Sequence, residues 1–245
     1  MKQQVARSRG KSKERAVDLR QQLAQACRIL AMAGQGDDIW GHATARVPGT
    51  ETFWMKPHRM GLEEVRPQDL LLVDLDGRVV RGTRPRHSEV FIHTEIYRAR
   101  PDVGGVVHTH PVAPTVFASL GVPLRAITHE GSYFTPPDIP RFDETTDLIV
   151  TAERGKAVAR ALGDRPALLL VAHGIVTVGA TIVEATANAL VLDKATRAQL
   201  MVPGGTPRHW STDEDALAKR ARVHNPTGFA DRWAYLLRKL AEAGR

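Results

Sequence analysis

His108-Thr109-His110-Pro111 is the stretch of this 245-residue chain with the greatest chemical potential. It closes an apolar run from Val103 that reads as a strand. Residues two apart in a strand point to the same side. His108 and His110 can therefore aim both imidazoles at one point, as two nitrogen ligands of a divalent cation would. Two hydrogen-bonded histidines at a strand end fit the same pattern. His173 is a third candidate: it follows a second apolar run, Leu168-Leu169-Leu170-Val171-Ala172, and precedes Gly174. The carboxyl ends of buried strands are where α/β sheets open their clefts. Three imidazoles leave a coordination position open, the arrangement of a catalytic rather than a structural metal site. Glu89 stands at the start of a helical stretch after Pro85. It could act as an acid/base or as a fourth ligand; its plainer role is a first-turn carboxylate in the helix dipole. His93, four residues on, shares its helix face and reads as an orienting or packing residue.

Alternating strands and helices must position these groups. Leu19, Leu23, Ala26, Cys27, Leu30 and Ala31 recur at three- and four-residue steps, a helix that Gly34-Gln35-Gly36 ends. Strand pieces over 40–56 flank the turn Pro48-Gly49-Thr50, and Asp76-Gly77 between Leu70–Asp74 and Val79-Val80 marks a hairpin. Helices are expected over 88–100, 113–120, 151–162 and 181–201, with two more near 212–223 and 227–243. The stretch 131–143, rich in Pro and aromatic residues, reads as a loop. The order suggests one α/β domain over 17–245, with helices on both faces of a mixed sheet. The stripe Trp233, Tyr235, Leu236, Leu237 and Leu240 could close over its own core or pack on a neighbouring copy.

Composition narrows the function classes. The charge of +7 is concentrated at the start: residues 1–20 hold seven Lys/Arg against Glu14 and Asp18, leaving +2 for the rest. Residues 1–16 read as a basic disordered leader with little to bury. No stacking aromatics interleave these charges, so a nucleic-acid partner is not expected. No apolar run is long enough to span a bilayer, so no membrane partner is expected. One cysteine, Cys27, permits no internal disulfide, and a cytoplasmic setting is the expectation.

The pattern Glu89-Val90-Phe91-Ile92-His93, then Tyr97, Arg100-Pro101-Asp102 and Val106-Val107-His108-Thr109-His110, resembles the class II aldolase/adducin family. Nineteen residues separate Glu89 from His108, as in the aldolases of that family. The resemblance covers about residues 17–200. It implies a three-layer α/β/α domain with a central mixed, largely antiparallel sheet. It implies a divalent metal on His108, His110 and His173, with Glu89 as acid/base. Zinc suits three imidazoles, while cobalt, manganese or iron accept the same ligands. It also implies a homotetramer with active sites between subunits.

Departures from the family's sugar-phosphate aldolases point to a different substrate. Their phosphate loop resembles Gly-Asn-x-Ser; here it is Gly41-His42-Ala43-Thr44. Their second loop is shorter than Lys56-Pro57-His58-Arg59-Met60-Gly61, and their serine pair before the glutamate is here His87-Ser88. Phosphate favours small hydroxyls and backbone N–H groups. Imidazoles and a guanidinium fork suit a carboxylate. The residues thus suggest a small-molecule carboxylate held by His42, His58, Arg59 and Ser88. Thr128-His129-Glu130-Gly131-Ser132 also resembles the decarboxylase branch, which acts on dihydroxyphthalate-like acids in aromatic degradation. The resemblance then implies a lyase in which the metal accepts charge from the broken C–C bond, giving an enolate, and Glu89 or else His129 returns a proton. An aldolase acting on a sugar phosphate or small hydroxy-ketone is the alternative. An adducin-like structural role sits poorly with Glu89 and all three histidines kept together.

Overall fold

The computed structural model describes residues 18–244, so the expected leader over 1–16 lies outside it. Helix α1 (Leu19–Leu30) starts where the Asp18 carboxylate accepts from the N–H of Arg20 at 3.0 Å. It ends in a widened turn, Ala31–Gln35, that closes on Gly34 at φ 81°. Its buried face carries Leu23, Ala26, Cys27 and Leu30, and the Cys27 thiol is fully enclosed.

Strands β1 (His42–Arg46), β2 (Thr52–Met55), β3 (Leu71–Asp74) and β4 (Val79–Arg81) follow as a meander, then helix α2 (Val90–Ala99). After it come β5 (Gly105–Thr109), α3 (Val112–Leu120), α4 (Gly131–Phe134) and β6 (Arg141–Phe142). The chain continues through α5 (Ala152–Leu162), β7 (Ala167–Leu170), β8 (Gly174–Gly179) and α6 (Ile182–Leu200). It finishes with α7 (Asp213–Val223) and α8 (Pro226–Glu242).

The eight strands form one sheet in the order β4-β3-β2-β1-β5-β8-β7-β6. Every pairing is antiparallel except β6 with β7. The sheet is therefore mixed and largely antiparallel, as expected. The segment read as a loop over 131–143 holds both α4 and β6. β6 is too short to show a period and joins the sheet through only Arg141↔Leu169 and Phe142↔Leu170.

Strand alternation divides the interior into two cores. Ala43, Ala45, Val107, Leu169 and Ile175 face α1, α3 and α6. Phe53, Val106, Leu168, Leu170 and Val176 face α2 and α5. Burying each large apolar side chain stabilises the layers by about 1.5–3 kcal/mol. The C-terminal stripe closes over its own chain: Trp233, Leu236, Leu237 and Leu240 of α8 pack on Ile29 and Leu190, while Tyr235 stays exposed. No helix among the described residues is long and apolar enough to cross a membrane.

Candidate metal centre

Four elements converge at one end of the sheet. His42 opens β1 and pairs directly with His108 near the end of β5. His110 lies just past β5. His173 is the last residue of the three-residue turn between β7 and β8, where Ala172 adopts φ 52°. Glu89 immediately precedes α2. Gly174 allows the turn to approach β5: a Cβ there would lie 2.5 Å from the Thr109 carbonyl and 2.7 Å from His110 Cδ2.

Glu89, His108, His110 and His173 each offer a ligand atom within 4.8 Å of all the others. His108 Nδ1 donates to the Ile175 carbonyl at 2.9 Å. His110 Nδ1 donates to Asp37 Oδ2, also at 2.9 Å. Burial and the neighbouring His108 push His110 down to about 4 against the pull of Asp37, so its ring is neutral. With each Nδ1–H given to an oxygen, a neutral ring turns its Nε2 lone pair inward, and the two Nε2 atoms face each other at 3.0 Å. Two lone pairs so placed repel unless a cation lies between them. His173 Nε2 is buried and has no hydrogen-bond partner among the described residues. These residues fit a divalent cation, and the outer partners Ile175 and Asp37 orient two of the rings as such sites require.

Glu89 sits 3.4 Å from His173 Nε2, 3.7 Å from His108 Nε2 and 4.0 Å from His42 Nε2. Burial pushes its carboxyl up, but the surrounding imidazoles of His108, His173 and His42 outweigh burial and hold it far below the usual carboxylate range. Oε1 accepts from the Ile149 N–H at 2.8 Å, which leaves Oε2 facing His42 and His108.

A cavity of about 440 Å³ opens over this group, lined among others by Trp40, His42, His58, His87, Ser88 and Leu148. Of the four residues expected to hold substrate, it gathers His42, His58 and Ser88. Arg59 does not line it: the loop turns at Arg59, φ 62°, carrying His58 inward and Arg59 to solvent. Nor does His129 reach it. That residue occupies an exposed turn, and its carbonyl accepts from His224 Nε2 at 3.3 Å.

Asp37 and His87 are site residues that the sequence reading did not assign. Asp37 lies in an irregular turn that shows no period. His87 is packed by Lys56, whose fully buried ammonium donates to the carbonyls of Ile39 at 3.0 Å and Trp40 at 3.3 Å. His87 Nε2 lies 3.2 Å from both Lys56 Nζ and the Pro57 carbonyl. The ammonium can only donate to that nitrogen and the carbonyl can only accept from it, so the ring serves one of the two at a time. Lys56, expected in a basic substrate loop, instead ties the loop Ile39–Gly41 to the cavity floor.

The description "Class II Aldolase and Adducin N-terminal domain" fits residues 21–200. The chain belongs to this family. Class II aldolase relatives include 3,4-dihydroxyphthalate decarboxylase of Arthrobacter keyseri, 31% identical over 195 residues, or 75% of this chain and 78% of that protein. Decarboxylase NovR of Streptomyces niveus is 35% identical over 182 residues, 73% of this chain and 67% of that one. Among solved class II aldolase structures, L-fuculose 1-phosphate aldolase from Glaciozyma antarctica superposes with a TM-score of 0.81 at 26% identity, covering 92% of this chain and 89% of the other.

Proposed function

We propose that the protein is a divalent-metal-dependent carbon–carbon lyase. It decarboxylates a dihydroxyaromatic acid of the dihydroxyphthalate kind, or a related hydroxy- or oxo-carboxylic acid. The observation that carries the metal dependence is the pair of imidazole nitrogens, His108 and His110 Nε2, facing each other at 3.0 Å while both Nδ1 atoms are engaged by oxygens. Identity to two decarboxylases at 31% and 35% supports the choice of reaction.

His108, His110 and His173 would hold the cation, zinc first by its preference for imidazole. A bound divalent cation supplies the electron-withdrawing centre that C–C cleavage needs. Glu89 Oε2, ionised in the resting site, takes a proton from a substrate hydroxyl. After CO2 departs, Glu89 returns that proton to the carbon left behind, and the substrate oxygen regains a proton from solvent, so the net change is replacement of the carboxylate by hydrogen. His42, His58 and Ser88 hydrogen-bond the carboxylates. Trp40, its ring centroid 5.8 Å from that of His58, and Leu148 give the cavity apolar walls suited to a ring.

Helix α3 presents an exposed apolar stripe, Val112, Val116 and Leu120, which supports assembly with further copies. His129 enters this reading only as a residue offered to a neighbouring copy's cavity in a homotetramer.

The test is incubation of the zinc-loaded protein with a panel of carboxylated catechols, with CO2 detection and mass spectrometry of the products. Loss of the mass of CO2 from one of them is expected. No loss from any, with metal bound, removes the decarboxylase reading; release of an aldehyde and a ketone from a sugar phosphate would replace it with an aldolase.

A further inference from the structure

Two side chains of β1 and two of α2 form a polar ladder beneath the cavity. His42 and Thr44 are two apart on the strand, and His93 and Tyr97 four apart on the helix, so each pair shares one face. All four are buried. His42 Nδ1 lies 2.7 Å from His93 Nε2. His93 Nδ1 lies 2.7 Å from Thr44 Oγ1, and Thr44 Oγ1 lies 2.9 Å from the Tyr97 hydroxyl.

The far end sets the direction of every hydrogen. Among the described residues, Thr44 is the side chain that hydrogen-bonds the Tyr97 hydroxyl; the Arg46 backbone N–H is given to the Gly104 carbonyl. Tyr97 must therefore give its hydrogen to Thr44. Thr44 gives its own to His93 Nδ1. His93 then carries its hydrogen on Nε2 and gives it to His42 Nδ1. This leaves the hydrogen of a neutral His42 on Nε2. That atom is buried, has no hydrogen-bond partner among the described residues, and faces Glu89 Oε2 at 4.0 Å, beyond hydrogen-bond range. The opposite direction would strand the Tyr97 hydrogen in the core, a cost of about 1–3 kcal/mol. It would also turn a bare nitrogen lone pair toward a carboxylate.

We propose that Tyr97, Thr44 and His93 lock His42 as a neutral Nε2–H donor, and that its acceptor is a carboxylate oxygen of the substrate. The three are positioning residues; no proton passes along them. The ligand's identity rests on the lyase reading above, whereas the tautomer does not. A cavity wired this way selects for an oxygen that can accept a hydrogen and against an N–H group at that point.

The test is nitrogen-15 imidazole spectroscopy of the zinc-loaded full chain, with the His42 signals identified by their loss in His42→Gln. A neutral ring protonated on Nε2 is expected. Tyr97→Phe keeps the aromatic ring and Thr44→Val keeps the volume; either should move His42 toward the Nδ1–H form, which a merely structural role would not do. Titration with phthalate, a dicarboxylate probe, should show about tenfold weaker binding in His42→Phe, which keeps a ring but offers no hydrogen, the scale of one hydrogen bond to a charged group. A wild-type ring protonated on Nδ1, or a tautomer unmoved in both variants, overturns the ladder. Phthalate affinity unchanged in His42→Phe overturns the acceptor. The expected tautomer with no decarboxylation from the catechol panel keeps the ladder and removes the lyase reading.

Discussion

Asp37 illustrates how a proposed metal ligand, His110, depends on a neighbour outside the ligand set. Its carboxylate holds His110 Nδ1 at 2.9 Å and so points Nε2 into the centre. Asp37→Ala should weaken metal binding by about 10–100-fold, measured by competition with a chelator. His108→Ala or His173→Ala removes a ligand outright; either should abolish metal retention, read by elemental analysis, and turnover with it. Retained metal in either variant would remove the ligand assignment. The three histidines were legible because each ends an apolar strand run, where side-chain direction follows from the pleat. Asp37 was not, because an irregular turn has no period to read. Arg59 was over-read for a related reason: its charge suggested an anion, but the left-handed turn at that residue decides where the side chain goes.

At the scale of elements, the approach of the β7–β8 turn to β5 depends on Gly174. A methyl group there would stand 2.5 Å from the Thr109 carbonyl and 2.7 Å from His110 Cδ2. Gly174→Ala should therefore separate His173 from His110. The expected outcome is weaker metal binding together with a Tm loss of about 2–10 °C, from an overpacking cost of roughly 1–3 kcal/mol. Normal affinity and Tm would show that the turn can relax. Most helices and strands were legible, because α1 repeats at three- and four-residue steps and β7 is a continuous apolar run. β6 was not, since two residues carry no pattern and its place comes from pairing with β7. The ladder between β1 and α2 lay in the sequence as His-x-Thr and His-x-x-x-Tyr. Only the packing of that helix on that strand makes the two into one unit.

For the whole molecule, buried histidines set the acid limit of stability. Burial pushes His93 down to about 3; burial and Lys56 push His87 down to about 2. Both would titrate near 6.5 in the unfolded chain. Below that pH the unfolded chain binds protons that the folded one refuses, so stability falls as pH drops from about 6.5 toward 3. The urea midpoint of the metal-free protein should be level near pH 7.5 and decline steadily to pH 4. A flat profile would show that these rings gain protons without unfolding. The buried thiol of α1 has a further use. Burial pushes Cys27 up to about 12, and its side chain is fully enclosed. Thiolate reagents can reach it only when the layer of α1 lifts from the sheet, so the labelling rate should track unfolding of that layer rather than motion at the cavity. The chain thus carries its own clock: one thiol whose modification times each opening of the fold and leaves the histidine cluster untouched.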